Sequence, residues 1–191
     1  MTLHVNEDII LELTAQKHAA GLMSLVDNNR LHLSRFLGWV DKMQTVKDFE
    51  GYIQHCELLY EGGTDISFVI FYKAEMAGRI GLHYIHPQNK LGSIGYWLGS
   101  RFEGKGIIIE SCRKIIEFGF GQLHLNRIEI KAAVENVRSQ AIPEKLLFNR
   151  EGMLRQAEFV KGKALDLYLY ALIKEDWLKK HSGTPVVVIP V

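Results

Sequence analysis

The chain has 191 residues, enough for one domain that buries roughly 70% of its unfolded surface and needs no disulfide or metal to hold it. Apolar residues make up 47%, charged residues 24%, and the formal net charge is +1, which argues against a nucleic-acid platform built on a broad basic face. Two cysteines without metal-like spacing, Cys56 and Cys112, suit a reducing cytoplasm; the first residues carry no basic segment followed by an apolar run, and no apolar stretch is long enough to span a bilayer, so a cytoplasmic chain with no membrane partner is expected.

Residues 9–13 read as a first strand. Ala19, Leu22, Met23 and Val26 recur at helical spacing over residues 15–30, with Thr14 placed to cap them. A short second helix is expected at 31–37 and an amphipathic one at 46–60, capped by Thr45. β-rich runs follow at 67–72, 76–85 and 94–98, with Glu75 and its neighbours as a turn. Over residues 104–119 the period becomes helical: Ile108, Cys112, Ile115, Ile116 and Gly119 share one face, opposite Glu110, Arg113, Lys114 and Glu117. Ile128, Ile130, Ala132 and Val134 then alternate with Arg127, Glu129 and Lys131, which predicts a strand. A helix at 138–146 and strands at 153–160 and 164–172 complete the pattern, so the order implies a mixed sheet with helices packed on it.

The informative segment runs from Tyr96 to Gly106, YWLGSRFEGKG. A strand ends, a glycine-bearing loop follows, and a long helix begins. Such a loop gathers backbone N–H groups at a helix N-terminus, where orphan donors and the helix dipole favour an anion. Glycine permits close approach and left-handed backbone. Arg101 and Lys105 add charge. On spacing alone, a phosphate cradle and an ordinary strand-to-helix loop both remain open.

Several ordered motifs then agree. Arg101-x-x-Gly104-x-Gly106 resembles the acetyl-CoA loop of the GNAT N-acetyltransferases. Residues 125–129 (LNRIE) and Asn136-Val137-Arg138-Ser139 with 144–148 (EKLLF) are similar to later segments of that family, and 151–158 (EGMLRQAE) to a strand of the branch that acetylates ribosomal-protein N-termini, the RimJ/RimL type. Asn29-Arg30-x-His32-Leu33 and Trp39 resemble its N-terminal region. The resemblance spans about residues 7–178 and implies one such domain at 1–181 with a 182–191 tail.

It also implies an α+β fold: a twisted, mostly antiparallel mixed sheet of about seven strands, helices on both faces, and a parallel strand pair that splays to admit acetyl-CoA. The implied reaction is direct acetyl transfer to a primary amine, without a metal. By the same resemblance, the backbone of Phe102, Glu103, Gly104, Lys105, Gly106 and Ile107 holds the pyrophosphate, and Trp97 and Leu98 pair with the pantetheine arm. Asn136 bonds that arm, Ser139 protonates or hydrogen-bonds the departing sulfur, and Glu158 is the general base. The acceptor is expected to be a protein N-terminus, because at pH 7 an α-amine needs about 1.4 kcal/mol to become neutral and a lysine about 4.6 kcal/mol. A small amine acceptor (an aminoglycoside, polyamine or amino acid) and a CoA-binding protein that has lost catalysis are the rivals. A homodimer is left open.

Three departures from the family pattern stand out. Ile109 replaces a hydroxyl residue near the phosphates, removing a hydrogen bond worth about 1 kcal/mol. Pro143 falls inside the helix that presents Ser139 and has no N–H for the Ser139 carbonyl; a regular helix is expected to kink there or begin later. Leu147 replaces the glycine that usually caps this helix in the left-handed conformation. Elsewhere, His83 and His86 are three apart on a strand and expected on opposite faces, which argues against a metal. Cys112 is expected to pack in the core, Trp39 either to line the acceptor pocket or to be a core aromatic, and residues 161–163 to form a solvated turn.

Overall fold

The computed structural model describes residues 1–181, with only the backbone of Lys180 and His181; the 182–191 tail lies outside the described residues. The strands are Thr2–His4 (β1), Ile9–Leu13 (β2), Ile66–Tyr72 (β3), Glu75–His86 (β4), Leu91–Leu98 (β5), Arg127–Ala133 (β6), Asn149–Val160 (β7) and Lys163–Ile173 (β8). The helices are Ala19–Asp27 (α1), Arg30–Leu33 (α2), Val46–Glu61 (α3), Ile107–Gly121 (α4), Val137–Lys145 (α5) and Lys174–His181 (α6). One mixed sheet of eight strands, rather than about seven, runs β1-β2-β3-β4-β5-β6-β8-β7. The three-residue β1 and the terminal α6 are the additions to the predicted order; neither is long enough to show a period in sequence.

Local chemistry sets most boundaries. Thr45 caps α3 as expected: its side chain accepts the Asp48 N–H at 3.2 Å, and the Asp48 carboxylate accepts the Thr45 N–H at 2.8 Å. Thr14 does not cap α1. A 3-10 turn at Gln16–His18 precedes that helix, while Thr14 stays buried at the end of β2, its N–H bonded to the Ser67 carbonyl. The turn between β3 and β4 is Lys73–Ala74, both with φ above +50°, and Glu75 opens β4. The 161–163 turn is as expected, except that the Lys161 ammonium crosses to the Ser34 hydroxyl at 2.8 Å.

α4 buries the predicted face, with Cys112, Ile115 and Ile116 fully enclosed. A Cβ on Gly119 would lie 3.0 Å from Ile128, so glycine lets α4 settle close to β6. Burial pushes the Cys112 thiol up, which leaves it a packed, neutral group.

The parallel pair is the feature that positions the site. β5 and β6 pair from Leu91↔Arg127 to Ile94↔Ile130 and no further. β5 continues to Leu98 on the arm of β4, and β6 continues to Ala133 on the arm of β8. The strands therefore part after Ile94, leaving the β6-side edge of residues 95–98 without a strand partner. Among the described residues, no helix is long and apolar enough to cross a membrane.

Candidate active site

The glycine loop leaves β5, makes a 3-10 turn at Ser100–Phe102 and enters α4. Gly104 and Gly106 have φ of +76° and +74°, the left-handed region that favours glycine, and a Cβ on either would face open space. The amides of Phe102 and Glu103 donate inward, to the carbonyls of Gly99 and Ser100. Those from Gly104 to Ile109 have no acceptor among the described residues. The cradle of free donors is thus shifted towards α4, taking in Ile108 and Ile109 and leaving out Phe102 and Glu103. Six bare amides at the N-terminus of a 15-residue helix fit a pyrophosphate.

The loop is braced from the N-terminal region. Asn29, buried between α1 and α2, accepts both the N–H and the hydroxyl of Ser100 at 2.8 Å. The Glu103 carboxylate sits 3.1 Å from His32 and also pairs with Arg138 of α5. Arg101 pairs with Glu75 at 2.7 Å, and its guanidinium and the Lys105 ammonium both lie over the Phe102 ring. Asn29 and His32 belong to a segment whose position beside this loop no local pattern announces.

Ser139 stands in the first turn of α5. Its N–H is capped by the Asn136 side chain at 3.2 Å. The helix does not begin later: it starts at Val137 and carries Pro143 inside it. The carbonyl that Pro143 leaves without its helical N–H is met from the sheet, because the Tyr96 hydroxyl donates to it at 3.0 Å. The Ser139 hydroxyl lies 3.2 Å from the same Tyr96 oxygen. Burial pushes the Tyr96 phenol far up, so it acts as a neutral donor. Leu147 occupies the left-handed cap position itself, with φ +63°. Both departures in α5 are therefore accommodated.

On the other face of the fork lies a cavity of about 160 Å3 lined by Leu37, Trp39, Tyr52, Ser67, Arg79, Ile80, His83, Gly95, Tyr96 and Trp97. Trp39 lines it and packs against Trp97 at 5.9 Å between ring centroids. Arg79 is buried, its guanidinium bonded to the Tyr52 hydroxyl (2.5 Å) and Ser67 hydroxyl (2.6 Å); its Nε has no partner among the described residues. The lining carries this cation and no carboxylate. Glu158 is exposed on β7, opposite Leu165, and does not line the cavity. It stands beside Phe159, whose carbonyl lies against Gly38 in the segment that supplies Leu37 and Trp39. Although the residue is exposed, protein atoms crowding its carboxyl desolvate it and raise its pKa above the ordinary range. No three His, Cys, Asp or Glu side chains among the described residues gather as a metal set.

A forked parallel pair above a cradle of bare amides defines the class: an acetyl-CoA-dependent N-acetyltransferase, in which the cosubstrate supplies an activated acetyl thioester. Comparison with known proteins agrees. Residues 8–149 match the acetyltransferase (GNAT) domain, and the chain belongs to that family. It is 36% identical to the YdaF protein of Bacillus subtilis, over 92% of this chain and 97% of that one. It is 33% identical to the ribosomal-protein-serine acetyltransferase of Escherichia coli, over 90% and 96%. The RimL ribosomal L7/L12 α-N-protein acetyltransferase, solved with coenzyme A, superposes with a TM-score of 0.88 at 30% identity, covering 92% of this chain and 99% of that one.

Proposed function

We propose that this enzyme acetylates the α-amine of a protein N-terminus, with serine as the preferred first residue. The observation that carries the reading is the charge of the cavity: one buried guanidinium, no carboxylate. A polyamine or aminoglycoside needs carboxylates to balance its extra ammonium groups, and this lining offers none. A nearby cation also disfavours the ammonium form of an entering amine, and an α-amine is the easier of the two protein amines to hold neutral. The E. coli ribosomal-protein-serine acetyltransferase acts by name on a serine of a ribosomal protein, and RimL on the α-nitrogen of ribosomal L7/L12; both are similar along nearly their whole length.

In this reading the 104–109 amides hold the pyrophosphate, and the open edge at Trp97 and Leu98 pairs with the pantetheine arm. The Asn136 amide adds a donor to that arm while its oxygen caps α5. Ser139, polarised by Tyr96, faces the leaving sulfur. Glu158, which the family resemblance implies as base, stands on β7 outside the cavity lining, beside Phe159, whose carbonyl lies against Gly38.

The test is acetyl incorporation, read by mass spectrometry and CoA release, with three acceptors: a hexapeptide with a free N-terminal serine, the same peptide blocked at its terminus and carrying one lysine, and spermidine. The serine peptide should exceed both in kcat/KM by about tenfold or more. Preference for spermidine would overturn the reading.

A further inference from the structure

Arg79, Gly81 and His83 share one face of β4, and the strand register sets Ser67, Ser93, Gly95 and Trp97 beside them. Pairing of β5 with β6 stops at Ile94, so Gly95 is the first residue at the opening of the fork. A Cβ on Gly95 would lie 3.0 Å from His83 Cδ2 and 3.2 Å from its Nε2. The imidazole edge that carries Nε2 therefore covers the apex of the fork from the cavity side. Tyr96, next along β5, projects to the opposite face and reaches Ser139 there.

His83 is held from behind. Asp65, just before β3, is buried, and its Oδ2 lies 2.6 Å from His83 Nδ1. A carboxylate at that distance keeps the proton on Nδ1 and leaves the Nε2 lone pair free. Tyr84, the next residue, has φ +52° inside a register shift between His83 and His86, a bulge of the kind that re-aims a side chain. The other titratable groups around the cavity are Tyr52 and Arg79, with Cys56 behind Arg79, and Tyr96 across the fork.

We propose that His83, positioned by Asp65, is the group that takes the amine's proton. The proposal rests on the acetyltransferase reading. As the neutral amine bonds to the acetyl carbon, the carbon–sulfur bond breaks and its electron pair stays on sulfur. The proton shed by nitrogen passes to Nε2 and then to water. The thiolate takes a proton from the Ser139 hydroxyl, which is reprotonated from solvent. Base and acid thus stand on opposite faces of one fork.

The serine hexapeptide and acetyl-CoA serve as probes. H83Q should lose about 100-fold or more in kcat while its calorimetric affinity for acetyl-CoA stays within about threefold. E158Q should lose less than about tenfold. Added imidazole should restore about tenfold or more of the rate to H83A. D65N should keep the imidazole yet lower kcat by about tenfold or more, because the ring loses the acceptor that fixes its tautomer and orientation. NMR of histidine-labelled protein without substrate should show the His83 proton on Nδ1, with a downfield signal lost in D65N. A proton on Nε2, or H83Q turning over within about threefold of an active parent, overturns the base and leaves the acetyltransferase standing. A parent that turns over no amine overturns both.

Discussion

The two faces of the fork are built differently. The pyrophosphate cradle is one contiguous segment: β5, the loop and the start of α4 lie within residues 91–109, and each residue's job follows from its neighbours. The acceptor side is assembled from Trp39, Tyr52, Asp65, Arg79, His83 and Gly95, which strand register and the packing of α3 and the 37–39 segment bring together. A contiguous site depends on backbone conformation, and one residue with the wrong φ spoils it. An assembled site depends on side-chain partners, and it fails by losing a contact.

The largest effect on that contrast should come from Gly104→Val. At φ +76° a β-branched residue is a severe misfit, yet its Cβ would touch no protein atom. The free loop can relax, so the cost falls on binding. Acetyl-CoA affinity should drop about 30-fold, roughly 2 kcal/mol, with a shift of only a few degrees in Tm. Unchanged affinity in calorimetry would remove the cradle.

Tyr96→Phe probes the contact that links the two sides. It leaves the Ser139 carbonyl, already denied its helical N–H by Pro143, without a donor, at a cost of about 1–3 kcal/mol. Pro143→Ala supplies the missing N–H and should raise stability on its own. The double variant should recover most of the Tyr96→Phe loss. A double-mutant cycle in thermal unfolding should give a coupling of about 1 kcal/mol; strict additivity would show that the tyrosine does not replace the helical bond.

Leu147→Gly should have the smallest effect. Relief of the left-handed leucine at φ +63° is worth about 1–2 kcal/mol, reduced by the entropy glycine adds to the unfolded chain. A net gain of about 0.5–1 kcal/mol in stability, with unchanged turnover, is expected. Any loss of stability would mean that the leucine side chain contributes more than its backbone costs.

The same division explains what the sequence revealed. The loop, α4, β6 and the Thr45 cap were legible because turn chemistry, capping and periodicity are local. That Pro143 leaves the Ser139 carbonyl without its helical N–H was legible; that the helix would not begin later because Tyr96 supplies a donor was not, because the two are 43 residues apart. His83 was weighed only against His86, as a metal pair. Strand alternation separates those two but is silent on Asp65, 18 residues away on the neighbouring strand's approach. Thr14 was misread as a cap because a hydroxyl before a helical period looks the same whether its own N–H is free or already paired in a sheet.

One carboxylate has a consequence for solution behaviour. Glu103 ties the cosubstrate loop to His32 and to an Arg138 side chain that is 80% exposed. An exposed ion pair weakens as salt rises, and a core of buried isoleucines and phenylalanines is indifferent to it. Ionic strength should therefore loosen the loop selectively: raising salt weakens acetyl-CoA binding by stripping order from the cradle as well as by shielding the phosphates, while the unfolding temperature of the empty protein hardly moves. The affinity for cosubstrate and the stability of the fold thus respond to different properties of the solvent.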